Sequence, residues 1–330
     1  MIPTIAISIG DFNGVGPEII LKTLYPGENM PYTPLILGHP DILDFYAKTL
    51  EFRPDYNVIE SASGVQSGKV NVMPIGEISV SDITPGDITR KAGAFAMEAL
   101  DKGIDLCLAG EVDGLVTAPI SKEAIHMAGY EVPGHTEFLA QKTQCQNYLM
   151  MLVSNKTKVG LVSTHIPVQE VTGSVTRVNI LKQLKTMNKS LKTDFGIADP
   201  RIAVLGLNPH AGDGGVIGKE EINIISPTIA EAVEAGINAD GPHSADGFFG
   251  NRVYENYDCV LAMYHDQGLI PFKTISFNVG VNFSAGLPII RTSPDHGTAF
   301  MIAGQGVANN QSFHEAIDLA IELCLRKSNS

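Results

Sequence analysis

A chain of 330 residues is long enough to bury one large or two medium α/β cores. Its 44% hydrophobic and 18% charged residues are those of an ordinary globular protein. A formal net charge of −13 argues against a nucleic acid or an anionic membrane as partner, while small anions remain accessible to local positive groups.

The N-terminal run Met1 to Gly10 lacks a basic leader and is expected to form a first strand, over Thr4 to Ile9, not a signal peptide. Gly10-Asp11-Phe12-Asn13-Gly14-Val15-Gly16-Pro17-Glu18 follows and opens a helix at Ile19. This resembles a phosphate-binding turn, but the spacing is not G-x-G-x-x-G. A tight turn with Pro17 at the helix start accounts for it equally well. Thr33 to Gly38 and Lys69 to Ile75 are further strands, and Lys91 to Lys102 is a helix ended by Gly103. Strands are expected at Asp105 to Ala109 and Gly114 to Ala118, then a helix at Ser121 to Ala128. The turn Pro133-Gly134-His135-Thr136-Glu137 opens another helix. Tyr148 to Val153 and Lys158 to Thr164 are strands. Val178 to Phe195 has helical periodicity through Ile180, Leu184, Met187 and Leu191. A strand from Arg201, a glycine-rich loop over 208–218 and a helix from Glu220 to about Ala235 come next. The last helix is expected to start at a capping box, Ser312-Phe-His-Glu315. Strands alternating with helices imply a mostly parallel sheet. No apolar stretch approaches the ~20 residues of a membrane span. The cysteines Cys107, Cys145, Cys259 and Cys324 form no CxxC pair and suit free thiols in a reducing compartment, so a cytoplasmic protein is expected.

Three apolar runs end in histidine. Lys158 to Thr164 delivers His165, Arg201 to Asn208 delivers Pro209-His210, and Asp258 to Met263 delivers Tyr264-His265-Asp266. In an open α/β sheet, ligands bind beyond the carboxyl ends of strands. Three imidazoles there describe a catalytic zinc-type site, provided the fold brings them together. Asp266 and Asp246 are candidate bases or carboxylates behind such a site. An anion site is suggested by Lys273, by Asn282 and Arg291 around the apolar run 285–290, and by His135-Thr136 at a helix start. Asp295-His296-Gly297-Thr298-Ala299 is a small-residue loop that a flat ligand could approach closely.

Several long motifs resemble the 4-hydroxythreonine-4-phosphate dehydrogenase family of vitamin B6 biosynthesis, within the isocitrate/isopropylmalate dehydrogenase-like group. They are G-H-T-E-F-L at 134–139, S-T-H-I-P at 163–167, L-N-P-H-A-G at 207–212, A-M-Y-H-D-Q-G-L at 262–269 and G-L-P-I-I-R-T-S-P-D-H-G-T-A at 286–299. The resemblance implies two α/β/α lobes, 1–122 with 285–330 and 123–284, and an active site in the cleft between them. It implies NAD- or NADP-dependent oxidation with a divalent metal, zinc foremost, with magnesium or cobalt as alternatives. It implies a homodimer that shares its active sites. His165, His210 and His265 would be the metal ligands, His265 coming from the partner subunit. His135, Thr136, Lys273, Asn282 and Arg291 would contact the phosphorylated substrate, and His296, Gly297, Thr298 and Ala299 would border the nucleotide. Asp246, Asp266 and Lys273 are the catalytic candidates, with the base undecided between the two aspartates. Phe283-Ser284-Ala285 departs from the family pattern beside Asn282 and leaves phosphorylated threonate or erythronate as an alternative substrate. A non-redox protein of the same fold, which would bind no NAD, is the reading from another class.

Overall fold

The computed structural model describes residues 2–25, 30–132 and 134–328. Its strands, in chain order, are β1 (Thr4–Ser8), β2 (Thr33–Gly38), β3 (Asn57–Val58), β4 (Asn71–Pro74), β5 (Gly114–Thr117) and β6 (Leu149–Val153). They continue with β7 (Lys158–Leu161), β8 (Ile202–Leu205), β9 (Ala239–His243), β10 (Cys259–Ala262), β11 (Val281–Ala285) and β12 (Arg291–Pro294). Helices alternate with them, so the α/β class holds. The chain divides into two compact units, Met1–Cys145 with Leu287–Ser330, and Gln146–Gly286. Met1 and Pro133 lie outside the described residues.

In the first unit the strand order is β3-β4-β2-β1-β5-β12. Every strand pairing within this order is parallel. β2 is buried along its whole length, as expected of a strand covered on both faces. From β1 the chain moves first to β2 on one side and later to β5 on the other, which puts a topological switch point between β1 and β5. The unit extends past residue 122 because the helix Lys122–Met127 packs tightly on the helix Arg90–Leu108. A Cβ at Gly93 would lie 2.1 Å from the Ala124 carbonyl oxygen.

In the second unit the order is β11-β6-β7-β10-β8-β9. β6 runs antiparallel to both β11 and β7, and the pairings from β7 to β9 are parallel. Its core joins Leu152, Val159, Leu161, Leu205, Val260 and Phe272 among others. A buried side chain of this size contributes roughly 1.5–3 kcal/mol.

Three expectations need correction. Gly103 does not end a helix, since Arg90–Leu108 runs through it. It is a close-approach position instead, where a Cβ would lie 2.7 Å from Leu115 Cδ1 and 3.1 Å from Leu37 Cδ1. The strand expected from Asp105 is therefore the end of that helix; a short apolar run such as Leu106 to Ala109 cannot be told from a helix turn by pattern alone. Ser312 is not a cap. The last helix starts at Gln311, whose N–H donates to Asn309 Oδ1 at 2.8 Å, while the Ser312 hydroxyl accepts from Asp295 N at 3.1 Å.

Candidate active site

The three histidine-bearing turns follow β7, β10 and β8, which are neighbours in the sheet. Parallel strands point their carboxyl ends the same way, so His165, His265 and His210 emerge along one edge of the second unit. The turns are tied to each other. Met263, two residues before His265, accepts at its carbonyl from Ser163 N at 3.2 Å and Ser163 Oγ at 2.8 Å, two residues before His165. His265 is the first residue of the helix His265–Ile275. Its Nδ1 lies 2.7 Å from Asp266 Oδ1, so with Nδ1–H donating, Nε2 keeps a lone pair for a ligand.

The His165 and His265 rings have centroids 5.8 Å apart. With metal–nitrogen bonds of ~2.0–2.1 Å, two imidazoles on one ion lie about 5–6 Å apart by centroid. The 5.8 Å spacing of this pair lies within that range. His210 stands in an exposed turn, within electrostatic reach of Asp246. Asp246 accepts from Ser244 Oγ at 2.6 Å, and that bond holds its carboxyl below the usual range, with the charge of His210 a lesser cause. Among the described residues of one chain, no three His, Cys, Asp or Glu side chains come close enough to hold an ion. Lys273 lies two turns further along the His265 helix, about 12 Å along its axis. Asn282 is on β11, opposite Leu152, and its Oδ1 is buried without a hydrogen-bond partner.

The anion-binding candidates of the first unit gather around Arg291, which begins β12 and is 1% exposed. Its Nε and one terminal nitrogen donate to Thr117 Oγ1 at 3.2 and 2.6 Å. Burial pushes its pKa down to about 9, opposed by Glu137, so it stays charged at neutral pH. His135 opens the helix His135–Lys142, with Thr136 buried behind it. Burial, and then the Arg291 charge, drive the His135 pKa well below 6.5, and its Nε2 is a buried atom without a partner. A neutral imidazole, a buried guanidinium and a helix start form a preorganised polar group suited to an anion.

The Asp295–Ala299 loop packs on the first glycine turn. Val15 N donates to the Thr298 carbonyl at 2.9 Å, and a Cβ on Gly14 would meet that same oxygen at 2.9 Å. Other N–H groups of the turn are engaged too: Asp11 N with Pro119 O and Gly14 N with Asp11 O. The turn is thus a packing turn rather than an open phosphate cradle. The segment that follows the loop is held by Glu18, which accepts from Gly306 N and Ala308 N at 3.1 and 2.7 Å. His296 Nε2 and Asp11 Oδ2 are buried and unpartnered. Thr117, Glu137 and Asp11 were not singled out from the sequence. Thr117 and Glu137 owe their place to tertiary contact with Arg291, and only the position of Asp11 just after β1 hinted at a role.

The fold and these two polar groups define an α/β protein with histidine-bearing turns at adjacent strand ends in one unit and a buried guanidinium beside a helix start in the other. The chain belongs to the family described as pyridoxal phosphate biosynthetic protein PdxA, which matches residues 31–320. It is 44% identical to the 4-hydroxythreonine-4-phosphate dehydrogenase of Prosthecochloris aestuarii, over 98% of each chain. It is 39% identical to a protein of Oceanobacillus iheyensis provisionally named a D-threonate 4-phosphate dehydrogenase, over 98% of this chain and 99% of that one. The crystal structure of the Klebsiella pneumoniae 4-hydroxythreonine-4-phosphate dehydrogenase superposes with a TM-score of 0.89 at 38% identity, covering 98% of both chains. Among the described residues, no helix is long and apolar enough to cross a membrane.

Proposed function

We propose that this chain oxidises 4-phosphohydroxy-L-threonine to 2-amino-3-oxo-4-phosphooxybutanoate, with NAD or NADP as hydride acceptor, and that the product loses carbon dioxide to give 3-amino-2-oxopropyl phosphate. The observation that carries this reading is the trio of histidines at the ends of three adjacent strands, in a chain of this family. His165, His210 and His265 hold a divalent cation, zinc foremost and magnesium or cobalt as alternatives. A second copy of the chain completes the set, which suits the finding that, among the described residues of one chain, no three such side chains come close enough to hold an ion. The resemblance gives that role to His265 of the partner subunit, and the 5.8 Å His165–His265 pair offers the rival same-chain arrangement. When bound, the cation supplies Lewis acidity that lowers the pKa of the substrate alcohol.

Arg291, His135 and Thr136 take the phosphate, with Lys273 and Asn282 on the remaining polar groups. Asp266 is engaged in orienting His265, which leaves Asp246, whose carboxylate accepts from Ser244 Oγ, as the proton acceptor of this reading. The nicotinamide would accept the hydride, and His296, Gly297, Thr298 and Ala299 would border the nucleotide. The 3-oxo group then stands β to the carboxylate, where the enolate formed on loss of carbon dioxide is stabilised by neighbouring positive charge. Free cysteines suit a cytoplasmic setting.

The test is NADH formation from 4-phosphohydroxy-L-threonine with metal supplied, and no turnover would refute the reading. The Oceanobacillus relative, together with the buried Phe283-Ser284-Ala285 stretch beside Asn282, favours a second reading, oxidation of 4-phospho-D-threonate or D-erythronate. Rates on the two substrate types, measured side by side, decide between them.

A further inference from the structure

Regular backbone pairing in the second unit stops before the histidines are reached, since β7, β10 and β8 end at Leu161, Ala262 and Leu205. The loop that carries His210 is also strained. His210, Ala211, Gly212, Asp213 and Gly214 have φ of 54, 50, 82, 46 and 63°, three of them non-glycine residues in the left-handed region. Such a turn persists only when its surroundings over-determine it.

Two side chains do this. Glu221, 2% exposed, lies inside the turn. Its Oε1 accepts from Leu207 N at 2.8 Å and Asn208 N at 2.7 Å, and its Oε2 from Asn208 Nδ2 at 2.9 Å. Gln267 works from the other side. Its Oε1 accepts from Met263 N at 2.7 Å, and its Nε2 donates to the Gly206 carbonyl at 2.6 Å. One amide thus ties the His265 turn to the base of the His210 turn. The carbonyl of Met263 ties the same node to Ser163 and so to His165.

We propose that Glu221 and Gln267 are positioning residues that fix the His210 turn against the His265 turn, and so set how tightly the site holds a divalent cation without touching it. This rests on the reading of His165, His210 and His265 as ligands. Neither residue is replaceable by its isostere. In Glu221→Gln the amide nitrogen faces Asn208 Nδ2, donor against donor. Rotating the Asn208 amide only moves the conflict, because its oxygen then meets Glu220 Oε2, which Nδ2 now contacts at 2.7 Å. In Gln267→Glu a carboxylate oxygen faces the Gly206 carbonyl.

The experiment is titration of metal-free protein with Co(II), read by visible d–d absorption and by competition with a chromophoric chelator. Circular dichroism checks the fold. Each variant is expected to fold and to bind Co(II) about 10- to 100-fold more weakly, the usual cost of losing a group that supports a ligand. The double variant is expected to fall short of the product of the two, because both act on one turn. Folded variants with wild-type Co(II) affinity and spectrum overturn the proposal. Should Glu221→Gln not fold, Gln267→Glu decides by the same criterion, and Gln267→Leu, which removes both bonds, repeats it. His210→Ala separates the two levels. If it binds Co(II) like the wild type, the ligand reading itself fails; if it loses the metal while the Glu221 and Gln267 variants keep it, only the positioning role fails.

Discussion

The two units both place polar groups at strand ends, but they treat them in opposite ways. In the first unit Arg291, the Nε2 of His135 and the carboxyl of Asp11 are sealed from water, and burial is the largest cause of every shift in their pKa values. In the second unit His165 and His210 are exposed, and His265 is half-exposed. There geometry is set by hydrogen bonds between turns rather than by burial. On the proposed function, the difference follows from the ligand of each set. A phosphate is recognised by fixed charge in a low dielectric, where each interaction is strong. A cation is recognised by lone pairs at set distances, so spacing matters more than dielectric.

The largest effect expected is all-or-none. On the proposed dimer with shared sites, His165→Ala and His265→Ala are each expected to be inactive and metal-free alone. Mixed as heterodimers, they regain roughly a quarter of wild-type activity if His265 is donated across the dimer, because half the dimers then carry one intact site. Kinetics of refolded mixtures check this. No recovery at any ratio would place the 5.8 Å pair on one ion within one chain. Next is Arg291→Met. Removing one member of a buried, hydrogen-bonded charge set costs ~2–5 kcal/mol, so kcat/KM on the phosphorylated substrate should fall by about 30- to 5000-fold. Measured alongside thermal stability, an unchanged kcat/KM with a lower Tm would make Arg291 a structural residue only.

Much of this contrast was legible in the chain. Apolar runs followed by His165, His210 and His265 marked the second unit's strand ends, because strand length, burial and a polar break coincide there. The anion set was partly visible, since Arg291 follows an apolar run and His135 opens a helix. What stayed hidden depends on contacts distant in sequence. Nothing local shows that Thr117 receives Arg291, 174 positions away, or that Gln267 reaches Gly206. β9 and β12, with sequences ADGPH and RTSP, have no apolar run and are specified by their neighbours. Gly103 reads as a stop locally and is a packing contact in the fold, where Leu37 and Leu115 fill the space a side chain would need.

The smallest effect concerns the sealed side. Asp11 is fully buried, and burial raises its pKa from 3.8 to about 6, with the hydrogen bond from Asn13 N opposing. A carboxyl that is harder to ionise folded than unfolded contributes its full stability below about pH 4. That contribution is lost as pH climbs through 6, a difference of about 3 kcal/mol by pH 7. Asp11→Asn keeps an acceptor for Asn13 N but cannot ionise. Its amide nitrogen takes the place of an oxygen that has no partner, so at pH 4 the variant is no more stable than the wild type. Between pH 4 and 7.5 the variant should gain on the wild type, and the quantity to follow is the difference in unfolding free energy across that range. A constant difference would mean that Asp11 keeps its proton affinity unchanged on folding, and that the first unit does not use burial to tune its charges.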